Sequence, residues 1–141
     1  MRIEITSLAI FQLFLLLFAS CGQAGAQSRK ERDSLGITQI EYYEVDYKDS
    51  NGKEYLEKLE RFDERGELIE EIKYDRDGKV KEYIQYIYEG KLLMKEIYLD
   101  HKGNLEKTYV YEYDPDGLRI SKKFFDNKDR IYKEKRYRYK K

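Results

Sequence analysis

From Asp49 to the end of the chain one turn signal returns every 12–14 residues, and no other feature constrains the fold as much. Asp49-Ser-Asn-Gly52 comes first, then Phe62-Asp63-Glu-Arg-Gly66 and Tyr74-Asp75-Arg-Asp-Gly78. A shortened Tyr88-Glu89-Gly90 follows, then Asp100-His-Lys-Gly103 and Tyr113-Asp114-Pro-Asp-Gly117. Phe125-Asp126-Asn-Lys-Asp129 closes the series with Asp in the Gly position. Self-similarity at a fixed short period is architecture before it is anything else. Asp at the first position bonds its own backbone two residues on, and Pro115 has the φ that the second position of a type I turn wants. Gly at the fourth position supplies the positive φ of a bulged hairpin end, and Asp is among the few other residues that tolerate it.

Roughly 8–10 residues separate successive turns, which is strand length rather than helix length. Counted from each turn Gly, even positions are mostly apolar: Leu68, Ile72, Tyr74; Val80, Ile84, Tyr86, Tyr88; Leu92, Met94, Tyr98; Leu105, Tyr109, Tyr111, Tyr113. After Asp129 the series continues with Ile131, Tyr137 and Tyr139. Odd positions hold mostly Lys, Glu, Arg and Thr, with Tyr83, Ile87 and Ile97 among the exceptions. Period-two alternation rich in Tyr and β-branched residues is the strand pattern. Leu118, Ile120 and Phe124 take the opposite parity, which predicts a bulge or register shift near Gly117. Short loops join only antiparallel neighbours. The expectation is therefore an all-β antiparallel meander of about eight strands over residues 37–141. No second set of apolar elements is available to cover its Tyr-rich face, so the sheet curls or remains a single layer.

The segment before residue 37 differs in kind. Leu8 to Phe18 is an apolar run broken by Gln12, preceded by Arg2 and followed by Ala19, Ser20, Cys21 and Gly22. That is the layout of a secretory signal peptide over residues 1–20, and the run is about half of what a bilayer span needs. Phe18-Ala19-Ser20-Cys21 resembles a bacterial lipobox with Phe in place of the usual Leu. Ala24-Gly25-Ala26 is a competing A-x-A cleavage site that would make Gln27 the first residue. Cys21 is the sole cysteine, so an internal disulfide is excluded; lipid attachment gives it a purpose and is the expected reading. Residues 21–36 carry Gly, Ala, Gln, Ser and charge around one large apolar residue, Leu35, and read as a flexible tether. The expected location is the cell envelope, as an outer-membrane lipid-anchored protein; cleavage after Ala26 would leave it periplasmic or secreted.

Tyr74-Asp75-x-x-Gly78 and Tyr113-Asp114-x-x-Gly117 resemble the YD repeats of bacterial RHS-type surface proteins. The arrangement over residues 47–141 is also similar to short MORN-like repeat lipoproteins of antitoxin type. The resemblance implies extended β-sheet, an envelope or surface location and no enzymatic activity of the repeats; it transfers no functional residue.

The charges balance, 28 against 28, but not along the chain. Residues 21–117 hold 16 Lys/Arg and 24 Asp/Glu, whereas residues 118–141 hold 11 and 3. A split of this kind is a partner signal. The basic end, interleaved with Tyr, suits an anion, and also suits an edge strand guarded against aggregation. Export argues against nucleic acid as the ligand.

Little catalytic chemistry is available. His101 is the sole histidine and sits in a turn beside Lys102, so triads and His metal pairs have no second member. Asp75-x-Asp77-Gly78 and Asp114-x-Asp116-Gly117 look like calcium-loop fragments but lack the third Asp/Asn of that pattern. A shallow sheet gives a carboxylate pair no cleft in which to raise an acid's pKa. No catalytic residue, cofactor or metal is expected. The tyrosines are the best candidates as a group, flat rings with polar tips suited to half-wet contacts or to bracing a small core. The expected function is a non-enzymatic envelope lipoprotein whose repeat sheet is an interaction surface for a protein or glycan. An immunity or antitoxin-like protein that neutralises one toxin is the alternative.

Overall fold

The computed structural model describes residues 28–48 and 52–140. Cys21, the apolar run, both cleavage sites and most of the first turn lie outside the described residues. The rest is one eight-stranded antiparallel sheet in sequence order, an open meander. Its strands are β1 (Gln39–Asp46), β2 (Lys53–Phe62), β3 (Leu68–Tyr74), β4 (Val80–Glu89), β5 (Leu92–Leu99), β6 (Leu105–Tyr113), β7 (Arg119–Asp126) and β8 (Ile131–Arg136).

A short helix, α1 (Arg29–Leu35), corrects the expectation of a tether running through residue 36. Ser28 caps it reciprocally: its hydroxyl accepts from the Glu31 N–H, and its own N–H donates to Glu31. Gly36, in the left-handed region, ends it. The helix has no apolar stripe, and Leu35 stays exposed. It docks through cations instead. Arg32 donates to the Gly66 carbonyl at 3.0 and 3.2 Å and lies 4.3 Å from the centre of the Phe62 ring. Arg29 pairs with Glu67 at 2.5 Å.

The turns carry the predicted chemistry. At Asp75, one carboxylate oxygen accepts from the N–H groups of Asp77 and Lys79, both at 2.9 Å. The backbone closes around it, Gly78 N–H to Asp75 O and Asp75 N–H to Lys79 O. The same pair of side-chain bonds recurs at Asp63, Asp100, Asp114 and Asp126. Asp129 takes the glycine's place with φ +57°. At Asp126 and Asp100 the surroundings favour the ionised form. The Arg130 guanidinium, then two backbone N–H groups, hold Asp126 down at about 2. Asn104 does the same for Asp100 in direction. A carboxylate depressed in the folded state contributes stability that is present above the ordinary carboxylate range and lost as pH falls through the depressed value. We expect an NMR titration of the folded protein to give Asp126 a midpoint near 2; a midpoint at the ordinary 3.8 would contradict the turn geometry.

A bulge follows the turn in each hairpin from β2 onward. Ile69, Lys81, Met94, Glu106, Ile120 and Tyr132 have no residue opposite them on the preceding strand. The shift expected near Gly117 is thus one instance of a general rule. Bulged hairpins also decide which residues share a face. Seen from one face, successive hairpins of a meander turn in opposite senses, so identical turns present opposite faces at the two ends of the sheet. Lys73/Glu82, Tyr98/Lys107 and Phe124/Lys133 are opposed on one face, and Arg61/Glu70 and Glu112/Ser121 on the other. The even positions after each turn therefore do not form one face. In β3 it is Glu71, not Ile72, that lies opposite Ile84. In β8 Lys133 and Lys135 lie opposite Phe124 and Lys122, and the strand ends before Tyr137.

The core is thin. Leu59, Phe62, Ile84, Tyr111 and Phe124 are the buried apolar side chains among the described residues. Buried Glu60 accepts from the Tyr42 hydroxyl and from Lys58, both at 2.7 Å.

Candidate functional site

Following direct cross-strand partners from Ile84 gives one face of the second half of the sheet. Ile84 lies opposite Tyr98, Tyr86 opposite Glu96, Glu96 opposite Tyr109, Tyr109 opposite Phe124, and Tyr111 opposite Lys122. Directly opposed residues in antiparallel strands are close enough for their side chains to interact. Here they build a row of rings. Tyr98 and Tyr109 have centroids 4.8 Å apart, Tyr109 and Phe124 are 4.6 Å apart edge to face, and Phe124 and Tyr132 are 6.2 Å apart.

Cations lie over this row. Lys107 is 4.4 Å from the Tyr98 centroid, and Lys122 is 4.4 Å from Tyr109 and 4.8 Å from Tyr111. Arg119 is 4.2 Å from Tyr111, while Lys133 and Lys135 approach Phe124 at 5.3 and 5.9 Å. Each contact sits within the range in which the ring quadrupole attracts a cation. One carboxylate, Glu96, organises the centre. It accepts from the Tyr98 hydroxyl at 3.0 Å and from the Tyr111 hydroxyl, and pairs with Lys122 at 3.7 Å. Burial, then the nearby Glu96 charge or bond, pushes the Tyr98 and Tyr111 phenols well above their ordinary values, so both remain donors. Burial lowers Lys122, with Arg119 and Lys135 adding repulsion and Glu96 opposing it. The face thus gathers five cations around Glu96 over stacked rings, with Asp126 opposite Lys107 at its turn end, an arrangement suited to planar or anionic groups.

The first half of the sheet has a depression lined by Tyr42, Tyr55, Lys58, Lys73, Arg76 and Glu82. Its charges are matched internally: Lys58 with Glu60 at 2.7 Å, Lys73 with Glu82 at 2.7 Å, and Arg76 with Asp46 at 3.0 Å. The unbalanced face is the better candidate.

The sequence candidates are dispersed as follows. His101 is exposed in the β5–β6 turn. Asp75 and Asp114 spend an oxygen on their own turns. Among the described residues no group of three His, Cys, Asp or Glu is placed to hold a metal ion. The tyrosines divide: Tyr98, Tyr109 and Tyr111 join the site, whereas Tyr43, Tyr47 and Tyr139 are exposed elsewhere. The basic C-terminal strand contributes Lys133 and Lys135. Glu96 was missed. Its signal was an acidic residue between Met94 and Tyr98 in the apolar alternation. Compared with known proteins, the chain matches no family model and no curated sequence.

Proposed function

We propose that this chain is a non-enzymatic cell-envelope lipoprotein, tethered through a lipid on Cys21, whose repeat sheet offers the cation-lined aromatic face to a protein or glycan partner. The excess of cations over stacked rings in β5–β8 carries this reading. Five cations outnumber the two carboxylates beside them, Glu96 and Asp126, and a partner that supplies acceptors or negative charge relieves their mutual repulsion. Tyrosine rings contribute contact area at low entropic cost and keep a polar tip for water or ligand. The apolar run ahead of a lone cysteine supports the anchor. Likeness to YD-repeat and MORN-like surface proteins points the same way.

The test uses Lys107→Glu with Lys122→Gln, which alter the face away from the sheet edge. Binding of the labelled variant to isolated envelope should weaken about tenfold or more, with its circular dichroism unchanged. Equal binding by variant and wild type would remove the face from the account. Separately, Cys21→Ser should move the protein from the membrane fraction to the soluble fraction. A native N-terminus at Gln27, read by mass spectrometry, would contradict the anchor.

A further inference from the structure

Among the described residues the meander is open and leaves two unpaired edges, and these differ in charge. β1, at one edge, reads Gln39-Ile-Glu-Tyr-Tyr-Glu-Val-Asp46 and carries three carboxylates and no cation. β8, at the other, reads Ile131-Tyr-Lys-Glu-Lys-Arg136, and every residue in it is exposed. Arg138 and Lys140 follow directly. Each edge is also partly apolar: Tyr43 is 52 % exposed on β1, and Ile131 is 53 % exposed on β8. Unpaired strand edges are templates for pairing, and charge on them is the usual guard. Here the guard is selective. Two β8 edges repel, and two β1 edges repel, but β8 against β1 brings opposite charges together.

We infer that the partner of these edges is a second copy of this chain, with β8 of one copy pairing with β1 of the next. An even number of strands makes the geometry consistent. β1 and β8 run in opposite directions, so a copy set alongside with the same face upward meets its neighbour antiparallel. The new pair continues the meander and uses side-chain pairs of kinds already inside it. With Lys133 set opposite Glu44, Lys135 falls opposite Tyr42 on the same face, and Arg136 falls opposite Glu41 on the other. Lys58 already lies 4.0 Å over Tyr42, and Lys73 already bridges to Glu82, its partner on the adjacent strand. Arg76, 3.9 Å from Glu44, approaches it from the turn of its own chain. Such a contact is heterologous and joins different edges, so it extends into a row of copies and does not close as a symmetric dimer. In that row the cation-lined face repeats once per copy.

Sedimentation of the purified full-length protein tests this. Its average mass should rise steadily above that of a single chain with concentration and fall with salt. Lys133→Glu/Lys135→Glu/Arg136→Glu gives two acidic edges, and Glu41→Lys/Glu44→Lys gives two basic ones. Each variant should self-associate about tenfold or more weakly, and the two should co-assemble when mixed. Circular dichroism of each confirms that it is folded. A wild-type protein that stays monomeric at all concentrations overturns the inference. So does association that the variants leave unchanged, as the N-terminal apolar run would produce, or failure of two folded variants to co-assemble.

Discussion

Tyr111→Ala should cost about 3–5 kcal/mol, the range for removing a large aromatic side chain from a core. Tyr111 is the most buried large side chain among the described residues, 2 % exposed. Its ring carries Arg119 and Lys122, and its hydroxyl donates to Glu96. Truncation therefore opens a cavity, strands two cations over empty space and takes a donor from a half-buried carboxylate. A domain with total stability of about 5–15 kcal/mol loses a large share by this one change. Tyr111→Phe separates the contributions. It keeps the ring under both cations and removes the hydroxyl alone, while Glu96 keeps Tyr98 and Lys122. The expected cost is about 1 kcal/mol. Urea denaturation of the three proteins measures both values. Equal costs for Phe and Ala would mean that the hydrogen bond, and not the ring, holds this part of the sheet.

Gly66 and Gly78 occupy the same position of the same turn but should respond differently to substitution. Both have positive φ, +72° and +78°, where a β-branched side chain is strained by about 1–3 kcal/mol. Around Gly78 an added Cβ meets nothing within 4 Å. At Gly66 it would lie 2.6 Å from the Arg29 carbonyl oxygen and 3.1 Å from the Asp33 nitrogen, inside helix α1. Gly78→Asn should then be mild, since Asn tolerates the left-handed region, while Gly78→Val pays the backbone strain alone. At Gly66 even Asn must push the helix away, breaking the Arg32 bonds to the Gly66 carbonyl. Gly66→Val should exceed Gly78→Val by about 1 kcal/mol or more. Hydrogen exchange gives the distinguishing readout. Amides of residues 32–37 should lose protection in both Gly66 variants and keep it in both Gly78 variants. Unchanged protection at the helix in Gly66→Val would show that α1 does not rest on this turn.

The turns were legible because their chemistry is local: Asp bonds its own backbone, and Gly or Asp129 takes positive φ, whatever the neighbouring strands do. Strand number and antiparallel order followed from turn spacing alone. Helix α1 was written in Ser28 and Glu31, a capping-box pair, but Arg29 and Arg32 do the packing that an apolar stripe would otherwise announce. The faces were not legible from one repeat. Alternate hairpins turn in opposite senses, so the true structural repeat is two strands, and a parity rule drawn from single turns places Ile72 on the wrong face. For the same reason the sequence showed Tyr and Lys alternating near the C-terminus, but not that Lys107, Lys122 and Lys133 would gather over Tyr98, Tyr109 and Phe124.

That gathering is the centre of the account, and Phe124 reports it most directly, because Phe125 beside it has the opposite facing. A nuclear Overhauser spectrum of the folded protein should connect the Phe124 ring protons to the Tyr109 ring and to the side chains of Lys122 and Lys133. Contacts from the Phe125 ring to Tyr109 and Lys133, with none from Phe124, would put the register one residue out and the cations on the other face of the sheet.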